Sequence, residues 1–386
     1  MAFSRVFVIS QLPPPIHGSS MMTKALVNAL EEAGVEWTLV DRRFSTSVSE
    51  VGHFNLRKIR AGFSLFWRTL RATVGEPRSA AILFATNRTF SFLVDVVISE
   101  LLRMTKQRRI LYIHTDGFSA LAQRNRVFAR LVARLFVGAS AVVCLGPTLE
   151  RDVQRWTLKT RVRSIPNIAE RPTDIDNRYA SERPYLLFLS NLIPEKGALD
   201  FVEIARQLAG NHPRLDFLIA GAVADEAFAQ QVHAAIEKFN LVGRVKVIGA
   251  VSVDREKWSL VANAQMLVFP STYPFEAQPL TIVEALSTGT PVAAYDTGGI
   301  RDIVDDGNNG ILGSAEALDE FAERIARIVS DPAARSTLAD GARRAHASAH
   351  TRTAYRDAWL SLLAEIGYEP LPPRVDDTEG SDHDGP

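Results

Sequence analysis

Met266-Leu267-Val268-Phe269-Pro270-Ser271-Thr272-Tyr273-Pro274-Phe275-Glu276-Ala277-Gln278-Pro279-Leu280-Thr281-Ile282-Val283-Glu284-Ala285-Leu286 reads as an apolar strand, a polar loop and a helix opening at about Leu280. Glu276 falls in the loop and Glu284 about one turn inside the helix. Two carboxylates therefore border the electropositive helix N-terminus from different directions. The N–H groups of Leu280, Thr281 and Ile282 have no partner within a helix and suit a diphosphate. Carboxylates beside such a site accept from the hydroxyls of a ribose or sugar, which are neutral donors. On residue types alone, a helix-start charge and a solvated face residue fit the same positions.

The strand–loop–helix unit repeats outward in both directions. Short apolar runs, expected strands, stand at Val6 to Ser10, Trp37 to Asp41, Ala81 to Thr86, Ile110 to Thr115, Ala141 to Leu145 and Val162 to Ile165. A second series follows at Tyr185 to Leu189, Leu215 to Ala220, Val245 to Ile248, Met266 to Phe269, Pro291 to Tyr295 and Gly310 to Leu312. Continuous apolar strands alternating with helices indicate parallel sheets covered on both faces. The fold class is α/β, with two Rossmann-like doubly wound domains facing each other across a cleft where the carboxyl ends of the strands meet and ligands bind. The expected boundaries are 1–170 for the first domain, 171–183 for a polar linker and 184–350 for the second. A helix over 351–368 follows, with a sticky face of Tyr355, Trp359, Leu362, Leu363 and Ile366 that docks back on the first domain, and then a disordered acidic tail over 369–386.

A length of 386 residues suits two cores, and 46% apolar with 23% charged residues excludes fibrous or wholly disordered character. The only cysteine, Cys144, lies in an apolar run and reads as a small buried hydrophobe. The chain enters directly into a strand, and the apolar stretch from Phe90 to Met104 is broken by Asp95 and Glu100. The expectation is a cytoplasmic protein, placed at the inner face of the membrane if its basic surface meets lipid. The zero net charge hides an asymmetry: residues 1–178 carry 26 Lys and Arg against 14 Asp and Glu, a net +12, and the rest 18 against 30, a net −12. A basic half suits a phosphate-bearing partner, but no nucleic-acid module is recognisable and none is expected to bind.

Further groups are aimed at the cleft. Leu189-Ser190-Asn191-Leu192-Ile193-Pro194-Glu195-Lys196-Gly197 follows the first strand of the second domain; Lys196 can neutralise a diphosphate and Gly197 lets the helix begin close to it. The first loop, Gln11 to Ser20, is stiffened by prolines, opens at Gly18 and ends in hydroxyls suited to capping; its His17 is either an acceptor-side group or a plain loop histidine. His114 ends a strand and points toward the cleft, with Asp116 two residues on as an acceptor-side group. From Phe54 to Leu70, Ile59, Phe63, Phe66, Trp67 and Leu70 form one stripe flanked by Arg57, Lys58, Arg60, Arg68 and Arg71. That pattern fits a core-facing helix with a solvated basic rim or a peripheral contact with a bilayer.

Glu276 and Glu284 at Glu-x7-Glu spacing, then Gly289-Thr290-Pro291-Val292, Gly298-Gly299-Ile300 and Asp306-Gly307-Asn308-Asn309-Gly310, resemble in order and spacing the retaining glycosyltransferases of family 4, whose two-domain arrangement is called GT-B. The resemblance implies transfer of a sugar from a nucleotide-diphosphate donor to a hydroxyl acceptor, saccharide or lipid-linked saccharide, in bacterial polysaccharide or glycolipid synthesis. It implies no cofactor and no dedicated metal. Carried over, Glu276 binds donor sugar hydroxyls, Glu284 the ribose, Lys196 the diphosphate, and His114 approaches the sugar; Gly18 lies near the donor phosphates. The family's Gly-Arg before the lysine is Ser190-Asn191 here, which removes a bidentate phosphate partner, and Gln278-Pro279 stands where Phe-Gly is usual. Two rivals follow: an epimerase or hydrolase on the same architecture, and a catalytically silent nucleotide-sugar-binding subunit. A dinucleotide dehydrogenase is disfavoured, since prolines and a single glycine follow the first strand.

Overall fold

The computed structural model describes residues 3–42, 56–76, 79–173, 175, 183–251 and 255–369, without the side chains of residues 56–58. Phe54, the Arg57 and Lys58 side chains, most of the expected linker and the tail from residue 370 lie outside the described residues.

Every strand of both sheets is parallel to its neighbours. The first sheet is built from β1 (Arg5–Ser10), β2 (Glu36–Asp41), β3 (Ser79–Ala85), β4 (Arg108–Ile113), β5 (Ala141–Cys144) and β6 (Arg161–Ser164), in the order β2-β1-β3-β4-β5-β6. Its helices are α1 (Gly18–Glu32), α2 (Leu56–Thr73), α3 (Thr89–Met104), α4 (Phe118–Gln123), α5 (Arg126–Phe136) and α6 (Pro147–Thr157). Burial sorts the strands. Central β3 is buried at every residue, whereas edge strand β6 carries Arg161 and Arg163, which pair with Glu365 and blunt the open edge.

The second sheet holds β7 (Tyr185–Leu189), β8 (Asp216–Ala220), β9 (Val245–Gly249), β10 (Met266–Phe269), β11 (Val292–Tyr295) and β12 (Gly310–Gly313), ordered β12-β11-β10-β7-β8-β9. Strand order reverses between β1 and β3 in one sheet and between β7 and β10 in the other, and each reversal opens a crevice at the carboxyl ends of its strands. Helices α7 (Ala198–Ala209), α8 (Glu226–Lys238), α9 (Arg255–Asn263), α10 (Leu280–Thr288), α11 (Leu318–Ser330) and α12 (Pro332–Ala349) cover this sheet.

Helix α13 (Arg352–Glu365) returns to the first domain, where Tyr355, Trp359, Leu362, Leu363 and Ile366 join its core as the sequence predicts. Glu369 donates its N–H to Phe3 O at 2.9 Å, tying the chain's return to its start. The crossing between domains is held before the expected linker begins. His350 Nδ1 contacts Asn167 O at 2.7 Å and His346 Nε2 contacts Ala169 O at 2.8 Å, and Asn167 to Ala169 are buried.

Candidate functional site

Lys196 and Glu276 come from the loops after β7 and β10, the strands flanking the second reversal. Their side chains meet: Lys196 Nζ donates to Glu276 Oε2 at 2.6 Å, and Ser271 Oγ donates to the same oxygen at 2.8 Å. Lys196 also lies 4.5 Å from the Tyr273 ring centroid, where the ring's negative face favours a cation. Two glycines explain why these loops can press together. Gly197 is left-handed (φ +82°), and a Cβ there would stand 2.0 Å from Pro270 O; Gly298 (φ +54°) would place one 2.0 Å from Glu276 O. The loop bearing Glu276 is clamped from both sides by backbone, with Thr272 N–H donating to Glu195 O at 2.9 Å and Gly299 N–H to Glu276 O at 3.2 Å.

Glu284 is buried in the second turn of α10 and accepts from Lys257 Nζ of α9. Burial raises its carboxyl above the usual range, offset in part by Lys257. No side chain caps α10, whose N-cap is Pro279 and whose first turn holds no acid, so the head of the helix remains suited to an anion. One detail differs from expectation. Ile282 N–H donates to Pro279 O at 3.1 Å, because the first turn is tightened, leaving Leu280 and Thr281 as the residues that present the helix end. Ser190 spends its N–H on Ala220 O at 3.0 Å, and Asn191 is exposed at the rim. The remaining motif pieces are scaffold: Gly289 ends α10 in the left-handed conformation, and Asp306 to Gly310 form the turn into β12.

The first domain supplies the opposite wall. His17 is the N-cap of α1: its Nδ1 accepts from Ser20 N–H at 3.2 Å while Ser20 Oγ accepts from His17 N–H at 3.0 Å, and its Nε2 contacts Gln11 Nε2. The expected hydroxyl cap is therefore the reciprocal partner and the histidine is the cap, with both ring nitrogens in use. Gly18 opens α1, and the space where its Cβ would stand is empty. His114 follows β4, stacked on Phe84 at 5.0 Å and edge-on to Tyr112 at 4.1 Å. Burial lowers its imidazole to about 3, so it is neutral at physiological pH, and its buried Nε2 has no hydrogen-bond partner. Asp116 is half-buried, and its carboxyl is lifted to about 6, first by burial and then by Asp152.

Three residues join the walls: Arg88 and Asp302, which the sequence did not single out, and Gln278, which it marked only as a departure from the family pattern. The Arg88 guanidinium, from the loop after β3, lies 5.5 Å from the Phe275 ring and 5.8 Å from Tyr273. Its place after a strand beside the β1/β3 reversal was a usable signal. Gln278 Nε2 donates to Leu145 O at 2.7 Å, its Oε1 accepts from Asn167 N–H at 2.9 Å, and Ala277 enters the first domain's core. Asp302 accepts from Thr148 N–H and Oγ1 at 2.9 Å, supplying from the second domain the side-chain cap that the head of α6, with Gly146 as its N-cap, lacks. Lys257 had no sequence signal, since nothing in its spacing ties it to Glu284.

Residues 172–345 match the family described as glycosyl transferases group 1. The chain is 27% identical over 198 residues to alpha-D-kanosaminyltransferase of Streptomyces kanamyceticus, covering 51% of this chain and 50% of that protein. It is 25% identical over 236 residues to the lipopolysaccharide core biosynthesis glycosyltransferase LpsE of Rhizobium meliloti, covering 59% and 65%. This chain thus spans about half the length of the first relative and under two thirds of the second. Its fold superposes on Anabaena HepE, solved in complex with UDP and glucose, with a TM-score of 0.68 at 18% identity over 94% of this chain and 100% of that one. The architecture is that of the GT-B glycosyltransferases. The matched segment, 172–345, holds both Lys–Glu pairs.

Proposed function

We propose that the protein transfers a glycosyl group, with retention of configuration, from a nucleoside-diphosphate sugar to a hydroxyl of a saccharide or lipid-linked saccharide in bacterial polysaccharide or glycolipid synthesis. The observation that carries this reading is the Lys196–Glu276 pair at 2.6 Å beside the uncapped head of α10. A diphosphate seated on the helix end draws Lys196 to itself, which frees Glu276 to accept hydrogen bonds from the donor sugar. Glu284, oriented by Lys257, accepts from the ribose.

The acceptor hydroxyl attacks from the face the diphosphate leaves, and the leaving phosphate takes its proton. Positioning and charge stabilisation then supply the rate without a strong protein base, resident cofactor or dedicated metal. Neutral His114 is a hydrogen-bond partner for the sugar from the opposite wall, and Asp116 and His17 border the acceptor side. Arg88 is the cation that stands closest in role to the guanidinium missing at Asn191, since it already packs on the donor loop. Because HepE was solved with UDP and glucose, uridine nucleotides are the first donors to test.

The exposed, uncharged Asn191 favours one alternative, a nucleotide-sugar-binding subunit without turnover. Incubation with donor alone and then with an acceptor panel separates the readings. Acceptor-dependent product of unchanged anomeric configuration is expected. Turnover without acceptor points to a hydrolase or epimerase, and binding without turnover to the silent subunit; either result overturns the proposal.

A further inference from the structure

Helix α2 sits on the first sheet with its poorer face. Leu65, Thr69 and Thr73 point inward and are fully buried, and Gly62 meets α3, where a Cβ would stand 3.5 Å from Val94 Cγ2. The richer face points out: Ile59, Phe63 and Trp67, spaced four apart on one stripe, are 45%, 64% and 45% exposed, with Phe66 and Leu70 half-buried beside them. Of the expected stripe, Phe66 packs on the core, whereas Ile59, Phe63 and Trp67 do not. On α3 the outward residues Leu93 and Val97 continue the apolar surface at 40% and 51% exposure. Glu100, the next outward position, is neutralised by Arg103 and by Arg134 at 2.7 Å.

A water-facing helix of a globular protein carries the reverse arrangement, so this surface is built to be covered. Charge selects the cover. The α2 sequence holds Arg57, Lys58, Arg60, Arg68 and Arg71 and no acid, on the half of the chain with net +12. A second copy would bring like-charged rims together, whereas anionic headgroups meet the rim while the stripe enters the headgroup–acyl boundary. We propose that the α2–α3 face docks on an anionic lipid bilayer. Both helices begin at the carboxyl edge of the first sheet, so docking sets the cleft beside the membrane and lets an acceptor reach it from the lipid side.

The inference stands apart from the sugar-transfer reading, since vesicle binding needs neither donor nor acceptor. The test is co-sedimentation of the whole protein with phosphatidylcholine vesicles, with and without phosphatidylglycerol. Binding only to the anionic vesicles is expected, weakened by salt and reduced at least about tenfold by Phe63→Ser with Trp67→Ser, at an unchanged melting temperature. Should that double variant melt early, Leu93→Ser with Val97→Ser carries the same prediction with a smaller drop. Equal binding by wild type and variants, or none to either vesicle, overturns the proposal. So does a concentration-dependent dimer that the double variant dissolves, which would make the face a self-interface.

Discussion

The two walls of the cleft use their polar groups differently. On the second domain, the Lys196–Glu276 pair sits in loops pinned by backbone contacts that only glycine permits, at Gly197 and Gly298, and the Lys257–Glu284 pair bridges α9 and α10. On the first domain, His17 caps a helix, Asp152 accepts from the N–H groups of Phe118 and Ser119 at the head of α4, and His114 is folded into an aromatic cluster that reaches Trp359 of α13. One wall thus holds paired charges that a ligand can re-partner. The other holds groups mostly committed to shape, with His114 Nε2 left unpartnered. On the proposed function, the difference puts most of the energetics of donor binding on the second domain and leaves the first mainly to orient what arrives.

The largest effect is expected at the paired wall. Lys196→Ala leaves the buried Glu276 carboxylate without its cation and the diphosphate without its lysine, so sugar transfer falls by about 10²-fold or more, read by initial rates. An equal fall for Gly18→Ala, at the other wall, would break the distinction. A smaller effect is expected where the walls join. Gln278→Ala strands Leu145 C=O and Asn167 N–H, and costs about 2 kcal/mol in urea unfolding. A loss within experimental error would mean the tether does not hold the domains.

The smallest effect is a pH slope. The unfolded chain protonates its histidines near pH 6.5, whereas folded His114 resists down to about 3, so falling pH favours unfolding across that window. Asp95 and Asp116, each raised to about 6 by burial, act oppositely, gaining protons in the folded state first and adding stability as pH falls. The difference between wild type and His114→Gln isolates the histidine, and is expected to change by about 1 kcal/mol per pH unit between pH 6 and 4. Parallel stability curves would show that the ring is not sequestered.

The central strands were legible because they are parallel and buried on both faces: runs such as Tyr185 to Leu189, Ala141 to Cys144 and Met266 to Phe269 are apolar at every position. Lys196 and Glu276 were legible as candidates because their loops are short and their glycines are forced, and Glu284 because its spacing sets it inside α10. What joins the walls was not. Gln278 reads as a departure from a sugar-pocket pattern until Leu145, 133 positions away, is brought to it. The stripe on α2 was visible, but not its direction, because periodicity finds a face without saying which way it turns. The same holds for His17, whose role depends on Ser20 reaching back.

The most direct test of the central claim, that the second domain supplies the main anchors of the proposed nucleotide, is calorimetric titration of wild type and Glu284→Ala with nucleoside diphosphates. The account predicts saturable binding to the wild type, weakened about tenfold or more in the variant by loss of a ribose hydrogen bond to a charged group. No binding by the wild type, or equal binding by both proteins, would contradict it.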